Sequence, residues 1–317
     1  MMPWIISISA LVVILAILTA ISIWSTSLII KKCFSRVDFD FNDSERVARS
    51  GIIMDFFKDK EYKEMKFRSF DDTLLVGYYV YNKKPTNNVV IVHHGYHSDH
   101  MSMTPYAQMY YDMGYDVLLI DSRNCGKSEG KYTTFGVLEA YDIEKWIDQI
   151  IFMKGKDARV ILSGVSMGAV TSILASTTQS SKYLTAVIAD CPYTTFNTQI
   201  ENVLKEGILK KEFTKKFSKL IVTLMRIGVK VYCKFDTAKS SPLDAVQKTN
   251  VPILFIHGSE DKLVDVKMAS ELYEKCVSKK ALFIMDGASH AQAINYDRIK
   301  YQEVVSDFLW EIKKESK

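Results

Sequence analysis

The chain has 317 residues, of which 48% are hydrophobic and 25% are charged, and its formal net charge is +4. This length is sufficient for a large domain with its own core, and the balance of charged and aromatic residues excludes a disordered protein. Five cysteines are too few for a disulfide framework, and 41 basic against 37 acidic residues do not indicate a nucleic-acid-binding protein. The charges are unevenly distributed, because none of the first 30 residues is Asp, Glu, Lys or Arg.

The uncharged start of the chain predicts a transmembrane anchor over residues 1–31. It consists mainly of Ile, Leu, Val and Ala, and it is longer than the roughly 20 apolar residues that a helix needs to cross a bilayer. Trp4 and Trp24 would lie about 30 Å apart on such a helix and would mark the two interfaces. A cleaved signal peptide is the alternative, but no basic residue precedes the apolar run, and the run is longer than a signal-peptide core.

The side of the membrane is indicated only by the charges that follow this run. Lys31, Lys32 and Arg36 come directly after it. By the positive-inside rule they favour a single-pass protein of the cell membrane whose remaining chain lies in the cytoplasm.

After a predicted linker over residues 32–64, with an amphipathic helix from about Asp43 to Lys58, short β-rich runs alternate with helical periods. The predicted strands are Leu74–Tyr81, Val89–His93, Tyr115–Asp121, Arg159–Ser163, Leu184–Ala189, Val251–His257 and Ala281–Met285. The predicted helices are Thr104–Met113, Gly136–Met153, Met167–Thr178, Val266–Cys276 and a last one from Ala291 onward. Continuously apolar strands that alternate with helices predict an α/β domain over residues 65–317, with a mostly parallel, doubly wound sheet.

One stretch interrupts the alternation and predicts a helical lid insertion at about residues 193–242. Its apolar residues at helical spacing are Phe213, Phe217, Leu220, Ile221 and Leu224. Lysines occupy the other face, which is interpreted either as a solvated surface or as a contact with anionic lipid headgroups.

The clearest chemical motif is Gly164-Val165-Ser166-Met167-Gly168, placed between a predicted strand and a predicted helix. A G-x-S-x-G sequence in this position is typical of a nucleophile elbow, a turn so tight that side chains at the glycine positions would collide with their neighbours. It predicts Ser166 as a nucleophile, and the following helix N-terminus favours negative charge beside it.

A serine nucleophile needs a histidine base and a carboxylate that orients the histidine. His290 follows the last predicted strand on a loop and is the predicted base, whereas His257 ends a strand and is interpreted as a packed residue. Asp261 is the predicted carboxylate, with Glu260 as its neighbouring alternative, and Asp265 is expected to cap the next helix.

The developing oxyanion needs hydrogen-bond donors. The predicted oxyanion donors are the backbone N–H groups of Met167, the residue after the nucleophile, and of Tyr96, which follows Gly95 after the strand VVIVH.

Five motifs in chain order, HHGYHSD, DSRNCGKSEG, GVSMG, HGSED and GASH, resemble those of the α/β-hydrolase superfamily over nearly all of residues 65–317. Through DCPYTT and SPLDAV the chain is most similar to BEM46-like and serine-aminopeptidase-type hydrolases. The resemblance implies hydrolysis of a carboxylic ester, thioester or amide in a small-molecule or lipid acyl substrate, through an acyl-enzyme and without a cofactor.

Four of the six histidines lie in HHGYHSDH, which raises the alternative of a metal site. The adjacent His93 and His94 should point to opposite faces of a strand, and no tetrahedral set of cysteines or carboxylates accompanies them, so no metal is predicted. Two functional alternatives to an esterase stay open, namely an aminoacyl peptidase and a membrane-tethered scaffold without turnover.

Overall fold

The computed structural model describes residues 34–36, 40, 42, 44–206 and 212–315. The predicted transmembrane anchor over residues 1–31 lies outside these residues. Among the described helices, none combines the length and the apolar character that a membrane crossing requires.

A single eight-stranded sheet in the order β1-β2-β4-β3-β5-β6-β7-β8 organises the described chain. In the order of the sheet, neighbouring strands from β4 to β8 run parallel, whereas β2 is antiparallel to both of its neighbours, β1 and β4. The strands are β1 (Tyr62–Arg68), β2 (Leu74–Val80), β3 (Asn88–His93), β4 (Asp116–Asp121), β5 (Arg159–Val165), β6 (Leu184–Asp190), β7 (Ile253–Gly258) and β8 (Lys280–Met285). The seven predicted strands are confirmed, and β1 was missed because this edge strand is mostly exposed and polar.

Helices cover both faces of the sheet, which explains why the central strands are apolar on both sides. The helices are α1 (Ser44–Ser50), α2 (Thr104–Asp112), α3 (Glu139–Lys154), α4 (Met167–Ala175), α5 (Phe196–Glu206), α6 (Glu212–Tyr232), α7 (Pro242–Val246), α8 (Val266–Lys275), α9 (Ala293–Tyr296) and α10 (Arg298–Glu315). One core contains Tyr110 of α2 and Phe308 of α10, and the core on the opposite face contains Trp146 of α3 and Leu272 of α8. This is the α/β-hydrolase fold.

The helix predicted from Asp43 to Lys58 is shorter than expected, since α1 ends at Ser50. Gly51 follows it with a φ of +65°, a left-handed conformation that ends a helix, and the chain then continues in turns. Phe56 is 1% exposed in the main core, so the packed part of the chain begins before the predicted domain boundary at residue 65.

Three described α-helices, α5, α6 and α7, lie between β6 and β7, and α5 and α6 occupy the stretch where the sequence predicted an insertion. The inward face of α6 differs from the prediction. Val222, Met225 and Val229 are buried there, whereas Leu220 and Leu224 are exposed. The reason is tertiary, because Met225 and Val229 complete a third core cluster to which α5 contributes Phe196. The side chains of Phe213 and Phe217 lie outside the described part of the structure.

Candidate active site

Ser166 occupies the sharp turn between β5 and α4. Its backbone has φ +53° and ψ −114°, a conformation that a non-glycine residue adopts only when its surroundings enforce it. The Ser166 N–H donates to the Asp190 carbonyl at 2.8 Å, and the Ser166 carbonyl accepts from the Val170 N–H at 3.0 Å. The backbone on both sides therefore fixes the hydroxyl above the carboxyl end of the sheet.

The two glycines of the elbow are required by close backbone approaches. A Cβ atom at Gly164 would lie 2.2 Å from the Gly168 carbonyl oxygen, and one at Gly168 would lie 2.1 Å from the His93 carbonyl oxygen. Neither distance is compatible with a side chain, because the neighbouring atoms belong to the backbone. The two glycines are therefore required on steric grounds, as the G-x-S-x-G motif predicts.

His290 lies between Ser166 and Asp261 on the loop after β8. Its Nε2 atom is 3.1 Å from Ser166 Oγ, and its Nδ1 atom is 2.7 Å from Asp261 Oδ2. The carboxylate can only accept at neutral pH, so Nδ1 carries the hydrogen and the Nε2 lone pair faces the serine hydroxyl. Asp261, and not Glu260, faces the imidazole, while Asp265 caps α8 by accepting from the Lys267 N–H at 2.9 Å.

Asp261 is held by four donors. Its Oδ1 atom accepts from the N–H groups of Leu263 and Val264, each at 2.9 Å. Its Oδ2 atom accepts from His290 and lies 3.1 Å from Nε2 of His257. The Asp261 side chain is fully buried, so these contacts replace the water that a carboxylate would otherwise bind.

His257 is the site residue that sequence reasoning missed. It is fully buried, and its Nε2 atom faces two acceptors, Asp261 Oδ2 and the Val264 carbonyl at 3.0 Å. Nε2 must therefore carry the hydrogen, and His257 acts as a donor to the carboxylate rather than only as a packed strand-end residue. The sequence did contain one indication of this contact. His257 and Asp261 are only four residues apart, and a short turn between them can bring the two side chains together.

The charge on Asp261 is stabilised by these contacts. Burial alone would raise its pKa, but hydrogen bonds from His257 and His290, the charge of His290 and the Val264 N–H together hold the pKa below the usual range. Asp190, one strand away, shows the opposite balance, because burial raises the pKa of this carboxyl to about 6 despite a hydrogen bond from Tyr106.

The two predicted oxyanion donors lie beside the serine. Met167 begins α4, and the N–H groups of a first helical turn have no carbonyl partner within the helix. Gly95 and Tyr96 line the cavity at Ser166. Nδ1 of His94 donates to the Gly95 carbonyl at 2.7 Å, which orients this peptide so that the Tyr96 N–H points away from His94.

Two of the histidines around this loop, His93 and His94, make hydrogen-bond contacts with Ser122. Nε2 of His93 lies 2.5 Å from the Ser122 hydroxyl, and Nε2 of His94 accepts from the Ser122 N–H at 3.0 Å. Burial lowers the pKa of both imidazoles, so both rings are neutral. Among the described residues, ligand atoms close enough to share a metal ion occur instead on Cys191, Asp261 and His290, in the site itself.

A cavity of about 850 Å³ opens over the serine. Its lining residues include Met103, Tyr106, Glu260 and Lys262 as well as Ser166 and His290. Such a volume is in the range of small-molecule sites, and the mixture of apolar walls with a few polar groups is typical of them.

Comparison with known proteins places this arrangement in a family. The family model for serine aminopeptidase, S33, matches residues 84–242 and 227–295. The uncharacterized protein YqkD of Bacillus subtilis is 28% identical over 254 residues, which are 79% of this chain and 81% of YqkD. The human alpha/beta hydrolase domain-containing protein 17C is 32% identical over 80 residues, which are 25% of this chain and 23% of that protein.

Solved structures share the fold over most of this chain. A structure of the Pyrococcus furiosus esterase Pf2001 has a TM-score of 0.64 and 25% sequence identity, and the match covers 88% of this chain and 98% of the esterase. An acylaminoacyl peptidase of Pyrococcus horikoshii, with a TM-score of 0.56 and 17% identity over 80% of this chain and 42% of the peptidase, shares the fold. The chain therefore belongs to the serine aminopeptidase S33 family of α/β hydrolases.

Proposed function

We propose that this hydrolase is a membrane-anchored serine esterase that cleaves a carboxylic ester through an acyl-enzyme, with thioesters and amides as related substrates. The observation that carries the proposal is the continuous chain of hydrogen bonds from Asp261 through His290 to the hydroxyl of Ser166. Similarity to an esterase over the length of the hydrolase domain supports it.

In the first half of the reaction, Ser166 Oγ attacks the substrate carbonyl while Nε2 of His290 takes the hydroxyl proton. Asp261 stabilises the imidazolium that forms and keeps Nδ1 protonated. The N–H groups of Met167 and Tyr96 receive the oxyanion. His290 then returns its proton to the leaving alcohol, and the acyl group remains on Ser166.

In the second half, a water molecule enters in place of the alcohol. His290 removes a proton from this water, which attacks the acyl carbon, and the same proton then returns to Ser166 as the acid departs. His290 thus serves twice as base and twice as acid.

The substrate is proposed to be a small-molecule or lipid acyl ester. The cavity of about 850 Å³ accommodates a substrate of this size, and Met103 and Tyr106 offer apolar contact to an acyl chain. The proposed anchor over residues 1–31 would hold the catalytic domain next to lipid-borne esters, with the domain on the cytoplasmic side.

An aminoacyl substrate is the second candidate, and one observation favours it besides the family to which the chain belongs. Glu260 is exposed and belongs to the cavity lining, where its carboxylate could pair with the ammonium group of an aminoacyl substrate. The neighbouring Lys262 would oppose that pairing, which is why the ester is the preferred bond.

The proposal is tested with a substrate panel of p-nitrophenyl acyl esters, acyl thioesters and aminoacyl p-nitroanilides. We expect the wild-type enzyme to turn over the esters fastest and Ser166→Ala to lose at least about 10⁴-fold in kcat on each substrate. Higher kcat/KM on the aminoacyl substrates would favour the second candidate. Equal rates for wild type and Ser166→Ala on all three classes would exclude the serine mechanism, and wild-type inactivity would favour a scaffold.

A further inference from the structure

The outward face of α6 carries a row of exposed aliphatic side chains. Leu220, Leu224, Ile227 and Val231 are 54%, 47%, 56% and 54% exposed. Their spacing of four, three and four residues places them on one face of the helix, so they form a continuous stripe. We call these four residues the outer stripe. Large aliphatic side chains that cluster on a surface mark an interaction site, whereas singly scattered ones do not.

The outer stripe is not the core-facing side of the helix. The buried positions Val222, Met225 and Val229 lie on the opposite side, where Met225 and Val229 pack into the cluster below α6. An ordinary surface helix has one apolar stripe and a polar opposite face. Since α6 is apolar on both sides, its outer face requires a second apolar environment.

Basic residues flank the outer stripe. The sequence from Glu212 to Tyr232 contains five basic residues and one acidic residue. On the described turns, Lys219, Arg226 and Lys230 are exposed on one flank of the stripe. Asp236 holds Arg226 at 2.8 Å and Lys230 at 3.5 Å, which keeps both side chains beside the stripe. An apolar face with a basic flank is characteristic of helices that lie in an anionic membrane interface.

The described chain begins directly below this helix. Phe34 is fully buried, and its ring lies 5.9 Å from that of Phe196 at the start of α5 and 5.7 Å from that of Phe235, which follows α6. The Phe34 carbonyl accepts from the Thr133 N–H at 2.9 Å, so the entry point of the chain is fixed. Two residues, Lys32 and Cys33, separate Phe34 from the predicted anchor, and the three residue steps from position 31 to Phe34 span at most about 10 Å. A bilayer that holds the anchor must therefore lie close to α6.

We propose that α6 docks on the surface of an anionic phospholipid bilayer, with the outer stripe in the interfacial layer and the flanking basic residues among the headgroups. This inference rests on the membrane anchor proposed above, and it adds a second membrane contact that fixes the orientation of the domain. Docking through α6 turns the α5–α6 side of the molecule towards the lipid. A single anchor would instead leave the domain free to rotate on its connection.

Tryptophan quenching in vesicles tests the proposal with the full chain. Leu224→Trp is reconstituted into phosphatidylglycerol vesicles that contain lipids brominated on the acyl chains, and the parent's own quenching is subtracted. Phe152→Trp is the matched control, because Phe152 is 88% exposed near the end of α3, at the opposite edge of the sheet from Ser166. We expect the added emission of Trp at position 224 to fall at least about twofold, and that at position 152 to stay unchanged.

The outcomes separate the two proposals. Vesicle flotation with unquenched emission at position 224 would overturn docking but leave the anchor, and it would mean that a second copy or another segment of this chain covers the stripe. Failure to float would overturn both. Equal quenching in phosphatidylcholine vesicles would overturn the role of the basic flank. If Leu224→Trp fails to fold, Ile227→Trp replaces it, and fluorophosphonate labelling of Ser166 reports the catalytic proposal separately.

Discussion

The carboxyl edge of the sheet and helix α6 differ in how their important side chains are held. At the sheet edge, backbone groups hold Ser166 and Asp261, since the Ser166 N–H donates to the Asp190 carbonyl and Asp261 accepts from two N–H groups. On α6 the outer stripe has no such constraint and is defined only by exposure. The site at the sheet edge can be predicted from local sequence because it is formed by turns. The outer stripe of α6 cannot, because it depends on which face of the helix the rest of the fold covers.

The largest effect is expected from replacing the carboxylate of Asp261 at the sheet edge. Asp261→Asn should lower kcat by about 10⁴-fold, because an amide at this position no longer holds the tautomer that leaves Nε2 of His290 free to accept a proton. The measurement is steady-state ester hydrolysis at saturating substrate. Asp265→Asn, which alters a helix cap four residues away, is the control, and we expect its kcat to stay within about twofold of wild type. Comparable losses in both variants would contradict the assigned role of Asp261.

The next largest effect is expected within α6, where two neighbouring residues occupy opposite environments, one buried and one exposed. Met225 is 5% exposed and Leu224 is 47% exposed. Met225→Ala should lower the free energy of unfolding by about 2–4 kcal/mol, whereas Leu224→Ala in detergent should lie within about 0.5 kcal/mol of wild type. Urea denaturation of the full chain in a mild detergent measures both. If Leu224→Ala were the more damaging change, the outer stripe would be a packed surface.

A smaller effect tests whether His257 supports the carboxylate. His257→Leu removes the donor to Asp261 Oδ2 and should lower kcat about tenfold with little change in KM. The pKa of Asp261 should rise in this variant, because the hydrogen bond from His257 lowers it in the wild type. His257→Gln can keep an N–H near the carboxylate and should recover part of the loss. Equal rates for the Leu and Gln variants would indicate that His257 only packs.

The smallest effect concerns Asp190, below the serine turn. Burial raises its pKa to about 6, so between about pH 4 and pH 6 the folded protein keeps a proton that the unfolded chain releases. Its contribution to stability is therefore present at low pH and is lost as the pH rises through 6. We therefore compare the melting temperatures of Asp190→Asn and wild type at two pH values. The difference, variant minus wild type, should be larger at about pH 8 than at about pH 4.5. A melting-temperature difference that is independent of pH would contradict this assignment.

Much of the fold was predictable from the sequence, for identifiable physical reasons. Continuously apolar runs such as VVIVH and VLLID correspond to strands that are buried on both faces, and these strands were located to within a few residues. The elbow was predictable because Gly164 and Gly168 are dictated by backbone approaches that involve only neighbouring elements. The proximity of Ser166, Asp261 and His290 followed from their positions after parallel strands, and their catalytic roles remain our proposal.

What the sequence could not supply was set by distant contacts. Leu220 and Leu224 have the same helical spacing as a buried face, and only the docking of Val229 beside Phe34 and Phe196 decides which face turns inward. The role of His257 was missed for a related reason. From sequence alone, a histidine at a strand end is interpreted as a packed residue. The contact with Asp261 becomes evident only in the structure, where the turn after β7 places the carboxylate beside the imidazole.

The most direct test of the account is the identity of the residue that a fluorophosphonate probe modifies. We predict that the full-length protein takes up one probe molecule, that mass spectrometry of its peptides locates the adduct on Ser166, and that Ser166→Ala is not labelled. Labelling of Ser166→Ala at the wild-type level, or an adduct on another residue, would contradict the proposal that Ser166 is the nucleophile.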